Sequence, residues 1–123
     1  YSTDVCVPIS RLVECISWAE KEVQKLGLTA PMVGHVGDGN FHSIVLYDPD
    51  DEDKQKRIRQ YSDDLINKAL ELEGTITGEH GIGLQKKHYL LREHADNVPV
   101  MKSIKRSIDV NNIMNPGKIF DLN

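Results

Sequence analysis

The sequence predicts an α+β domain, and three observations carry that prediction. Two segments repeat apolar residues at helical steps of three and four. Four short segments are rich in β-branched and other apolar residues and are bounded by glycine, proline or aspartate. The two kinds alternate as β-α-β-β-α-β up to about residue 79, the order of the ferredoxin-like antiparallel sheet with its helices on one face. Two additional C-terminal helices are expected after it.

Residues 4–9 (Asp-Val-Cys-Val-Pro-Ile) read as the first strand, with Pro8 marking its end or an edge. Ser10 is the expected N-cap of a helix whose stripe is Leu12, Ile16, Ala19, Val23 and Leu26, and Gly27 ends it. Strands are expected over 31–36 and 41–47. Asp48-Pro49-Asp50-Asp51 opens a second helix, with acids where the N-terminal dipole favours them. Its stripe is Ile58, Tyr61, Leu65, Ala69 and Leu72, and Gly74 closes it before a short strand, Thr75-Ile76-Thr77. A third helix is expected from Leu84 to about Arg92. A fourth should start at Asn97 with Pro99 near its first position, turning Met101, Ile104 and Ile108 inward.

A chain of 123 residues is enough for one core, and 39% hydrophobic with 28% charged residues suits a globular protein. No apolar run approaches the roughly 20 residues of a membrane span, and no signal-peptide pattern opens the chain. The net charge of -4 argues against a nucleic-acid partner. The basic run Lys54-Gln55-Lys56-Arg57 has acidic neighbours and reads as a solvated helix face. Cys6 and Cys15 lack metal-type spacing and read as buried free thiols.

The chemistry-bearing residues concentrate in two places. In Gly34-His35-Val36-Gly37-Asp38-Gly39-Asn40-Phe41-His42, Asp38-Gly39 is a strong two-residue hairpin signal. With that turn, paired residues sum to 77, so His35 faces His42 and Val36 faces Phe41. Two opposed imidazoles can converge on one divalent ion. Spacing leaves a second reading open, in which both are half-buried residues with no chemistry. It also makes the outcome depend on register, because a one-residue slip would separate the rings. Both faces of this hairpin are apolar, Val33 and Ile44 on one and Met32 and Val45 on the other. The face without helices is therefore expected to pack on something outside these residues, as in a piece of a longer enzyme.

The second place is Gly78-Glu79-His80-Gly81-Ile82-Gly83, where glycines flank a carboxylate beside an imidazole. The pair can supply a metal ligand, an acid/base, or merely solvated side chains on a loop. The glycine spacing is not that of a dinucleotide fingerprint. The acids at 48–53 lack the glycine and terminal glutamate of a calcium loop. His88 and His94 have no partner at metal spacing, and no serine lies in a nucleophile elbow.

Together with Thr3-Asp4-Val5-Cys6-Val7-Pro8 and Asn115-Pro116-Gly117-Lys118, these motifs resemble the C-terminal domain of the FAD-linked oxidases, most nearly their cytochrome-linked D-lactate dehydrogenase branch. The resemblance covers essentially the whole chain. It implies a ferredoxin-like domain that caps the flavin ring, with FAD held mainly by a separate N-terminal FAD-binding domain. His35, His42 and Glu79 match the family's metal-ligating positions, and His80 matches the base that takes the substrate's hydroxyl proton. Asn40 and Asn115 match positions on the substrate and flavin side. The resemblance implies oxidation of a D-2-hydroxy acid to the 2-oxo acid with hydride passing to FAD. Ile44 stands where relatives acting on dicarboxylates carry a polar residue, which favours a small substrate such as D-lactate. Zinc, manganese and iron all suit two imidazoles and a carboxylate. Cytochrome c or another electron acceptor, and a mitochondrial or otherwise cytoplasmic location, are the corresponding expectations. The alternative is a non-catalytic ferredoxin-like module that binds a metal or a partner.

Overall fold

The computed structural model of the protein describes residues 1–122. It contains two compact units, residues 1–79 and the residues from His80 onward.

In the first unit, strand β1 (Val5–Cys6) leads into helix α1 (Ile9–Lys25). Pro8, not Ser10, sits at the N-cap position, because its fixed φ of -49° already turns the chain into the helix. The buried residues of α1 are Leu12, Cys15, Ala19, Glu22 and Val23, so its inward face lies slightly round from the predicted stripe. After β2 (Met32–Val33), the 3-10 turn Val36–Asp38 and β3 (Asn40–Ser43) comes helix α2 (Glu52–Glu71). Asp51 caps α2 by accepting from the Lys54 N–H at 2.8 Å, and Glu52 and Asp53 fill its first turn. The whole expected stripe of α2, Ile58, Tyr61, Leu65, Ala69 and Leu72, is buried. The left-handed residue after α2 is Glu73 (φ 61°) rather than Gly74. Arg57 is not simply solvated: its guanidinium donates to the Leu26 carbonyl at the end of α1 (2.8 Å).

The sheet is antiparallel in the order β1-β3-β2. The expected strand at 75–77 contracts to one bridge, in which Thr75 and Cys6 exchange backbone hydrogen bonds of 3.2 and 2.7 Å along the outer edge of β1. Its place beside β1 is nevertheless that of the fourth ferredoxin-like strand. Val5, Phe41 and Val45 are buried with the inward faces of α1 and α2 to form the core. Ser43, fully buried, satisfies its hydroxyl against Tyr61 Oη at 2.6 Å. On the opposite sheet face Val33, Ile44 and Leu46 stay exposed, as the two-sided apolar pattern of the hairpin foreshadowed.

The second unit holds helices α3 (Lys87–His94) and α4 (Val98–Ile108). The third helix thus starts three residues later than predicted, after a glycine-containing turn. Asn97 and Pro99 do open α4, but only Val98 is buried in it. Ile104 and Ile108, expected to point inward, are 55% and 73% exposed, because α3, the only other helix of this unit among the described residues, does not cover that face. Among the described residues no helix is long and apolar enough to cross a membrane.

Candidate metal and substrate site

The hairpin folds with a longer turn than the Asp38-Gly39 signal implies. The His35 carbonyl accepts from the Asp38 N–H at 2.8 Å and from the Asn40 N–H at 3.4 Å, so residues 36–39 form a four-residue loop. Only Gly39 takes a positive φ (77°), whereas a type I′ turn would require it of Asp38 as well. Glycine is also required there by space, since a Cβ would lie 1.9 Å from the Val7 carbonyl oxygen.

This turn corrects the register. Val33 pairs with His42 and Met32 with Ser43, so partners sum to 75 and His35 stands opposite Asn40, not His42. The discrepancy is two residues, and side chains alternate with period two, so His35 and His42 still share a face as diagonal neighbours. Glu79 closes the gap between them. Its Oε1 lies 2.8 Å from His42 Nε2 and its Oε2 lies 3.6 Å from His35 Nε2. One carboxylate therefore spans the two imidazoles that spacing singled out. His42 is buried whereas His35 and Glu79 are exposed, so the cluster has a fixed inner wall and an open outer one.

Behind His42 stands a residue that spacing alone did not mark. Asp4 is 3% exposed, and its Oδ1 lies 3.4 Å from His42 Nδ1, 2.8 Å from Asn40 Nδ2 and 3.3 Å from the Glu79 backbone nitrogen. His42 Nδ1 also lies 3.1 Å from the Thr3 carbonyl. The available signal was an acidic residue inside an otherwise apolar strand, but no turn joins β1 to β3, so their register was not readable. The observed pairing, Val5 with Phe41 and Cys6 with Asn40, sets Asp4 opposite His42. Gly78 lets the Glu79 segment approach, because a Cβ there would fall 1.9 Å from Asp4 Oδ1.

Asn40 is buried and donates from Nδ2 to Asp4 and to the Val5 carbonyl (2.9 Å); its Oδ1 has no partner among the described residues. His80 is exposed and opens the second unit, one peptide bond after Glu79. Asn115, in the same unit, is exposed with a left-handed φ of 46°. Neither cysteine is in a disulfide: Cys15 is fully buried, and Cys6, half-buried rather than buried, donates its Sγ–H to the Asp38 carbonyl. Burial pushes the Cys15 thiol up to about 11, and burial followed by the carboxylates of Asp38 and Asp4 raises Cys6. Neither is poised as a thiolate.

Over nearly its whole length the chain matches one protein family. Its model, described as FAD linked oxidases, C-terminal domain, matches residues 1–119. The chain belongs to this family. The chain is 48% identical over 99% of its length to a probable mitochondrial D-lactate dehydrogenase of Danio rerio, covering 25% of that protein. It is 42% identical over 95% of its length to a mitochondrial D-lactate dehydrogenase (cytochrome) of Arabidopsis thaliana, covering 21% of that protein. Glycolate oxidase subunit GlcD of Bacillus subtilis is 36% identical over 95% of the chain, which covers 25% of it. The chain spans about a quarter of the length of these curated relatives.

Proposed function

We propose that these residues form the substrate- and metal-side domain of a flavin-dependent D-2-hydroxyacid dehydrogenase, with D-lactate as substrate. The carrying observation is the Glu79 carboxylate set between His42 Nε2 and His35 Nε2. Two nitrogen donors and one oxygen donor around a half-open position suit a catalytic divalent ion, with sites left for a substrate's oxygens. Zinc, manganese and iron are all compatible with that donor set.

His35, His42 and Glu79 would hold the ion, and the buried side of His42 would fix the angle at which the set faces outward. A bound divalent ion would supply polarisation of the substrate's hydroxyl and carboxylate oxygens, and FAD, held mainly by a separate N-terminal domain, would supply the hydride acceptor. A ring nitrogen of His80 would accept the hydroxyl proton as the Cα–H bond is broken. Asn40 would act on the substrate or flavin side through Oδ1, the amide atom not engaged by Asp4 and Val5, and Asn115 would flank the same side. Ile44 is on the sheet face of His42 and would keep that wall apolar, which favours a substrate with a single carboxylate. The names of the relatives, which include mitochondrial, cytochrome-linked D-lactate dehydrogenases, support a mitochondrial protein that passes electrons to a cytochrome.

Zinc and manganese titrations of the chain should show one site, lost in Glu79→Ala and His42→Ala. Retained binding in both variants would refute the ligand set. In the protein joined to its FAD-binding domain, D-lactate should bleach the flavin absorbance, and His80→Ala should keep the metal but lose this reduction. A metal-loaded flavoprotein that D-lactate does not reduce would favour the non-catalytic module instead.

A further inference from the structure

We infer that Asp4 is a positioning residue: with the Thr3 carbonyl, its buried carboxylate accepts from Nδ1 of His42 and so fixes the ring with Nε2 facing Glu79. This deepens the site proposed above and rests on it.

The register places Asp4 directly across from His42, and both side chains are buried. His42 Nδ1 faces the Thr3 carbonyl at 3.1 Å and Asp4 Oδ1 at 3.4 Å. An ionised carboxylate and a carbonyl accept hydrogen bonds and donate none, so Nδ1 is the nitrogen that carries a proton. Nε2, 2.8 Å from Glu79 Oε1, faces an acceptor as well, and it is the nitrogen that would give up its proton to an ion, because Nδ1 is held by two acceptors on the buried side. The same Oδ1 takes hydrogen bonds from the Asn40 amide (2.8 Å) and the Glu79 backbone N–H (3.3 Å). One oxygen thus ties together the imidazole, the segment that carries the carboxylate partner, and the start of β3. A carboxylate this deep in the protein is destabilising unless such partners offset it. A neutral acceptor could serve the two amide donors alone. What the carboxylate adds is a strong preference for the Nδ1–H tautomer, as in histidine ligands backed by a carboxylate.

The test is zinc chloride titration of the full chain beside its Asp4→Asn variant, with nitrogen-15 histidine NMR to report the His42 tautomer. Asp4→Asn keeps the side chain's shape and removes its charge. Zinc affinity should fall roughly ten- to a hundredfold in the folded variant, with His42 shifting to a mixture of tautomers. Unchanged affinity and tautomer in a folded Asp4→Asn protein would overturn the inference. If the variant does not fold, the wild type decides: a proton on Nδ1 of zinc-bound His42 supports the role, and its absence refutes it. Wild-type protein that binds no zinc would sink the metal site proposed above. The Asp4 role would then stand or fall on whether His42 keeps its Nδ1 proton in wild type and loses that preference in Asp4→Asn.

Discussion

Replacing Gly78 with alanine probes the contact that brings Glu79 to the histidines. Gly78 has a φ of 52°, and a Cβ would lie 1.9 Å from Oδ1 and 2.4 Å from Oδ2 of Asp4. The left-handed backbone alone costs an alanine about 1–2 kcal/mol. The collision adds to this, because Asp4 cannot retreat without stretching its bonds to Asn40 and the Glu79 N–H. Hydrogen bonds to a charged group contribute about 1.5–3 kcal/mol, so the full loss should be about 3 kcal/mol or more. Gly27→Ala is the matched control in the same unit. Its φ is 61°, yet its new Cβ meets only the far end of the Arg57 side chain, at 3.3 Å. Gly27→Ala should therefore lose only the backbone cost of about 1–2 kcal/mol. At about 4–8 °C per kcal/mol for a domain of this size, thermal unfolding followed by circular dichroism should separate the two variants by roughly 10 °C. Gly78→Ala should also bind zinc more weakly than Gly27→Ala. Equal unfolding midpoints would refute the claim that Gly78 is needed for approach to Asp4.

Two further outcomes follow from the core and from α2. Burial pushes the Tyr61 hydroxyl up from 10.0 to about 12 and the Cys15 thiol from 9.0 to about 11, so in each the neutral form is favoured by folding. The unfolded chain loses these protons first; stability is therefore full below pH 9 and declines as pH rises through 9 to about 12. Urea midpoints should fall over that window, with a shallower upper part in Tyr61→Phe, and a flat profile from about pH 8 to about pH 11 would contradict the burial of both groups. Asp51→Ala should cost about 1 kcal/mol by uncapping α2, read as a lower urea midpoint; no change would show that the Lys54 N–H finds water at no cost.

Much of this architecture was legible locally. The α2 stripe follows from side-chain period alone, and Asp51 caps α2 through a contact that spans three residues. The hairpin was legible in parity though not in register, because the glycine-rich turn accommodates either two or four residues. Parity sufficed to keep His35 and His42 on one face. Helix α4 misled because an amphipathic stripe shows which face is apolar but not whether anything covers it; Ile104 and Ile108 are exposed.

By itself the sequence determined the element order, the shared face of the two histidines and the adjacent Glu79-His80, all set by spacing within a few residues. Tertiary structure decided what those residues meet. β1 and β3 are separated by a whole helix, so only packing of the core fixes their register and sets Asp4 against His42. The Glu79 segment reaches the histidines only because Thr75 pairs with Cys6 and Gly78 leaves room beside Asp4. Contacts between residues far apart in the chain depend on how the helices pack beneath the sheet, and no local pattern of side chains encodes that distance.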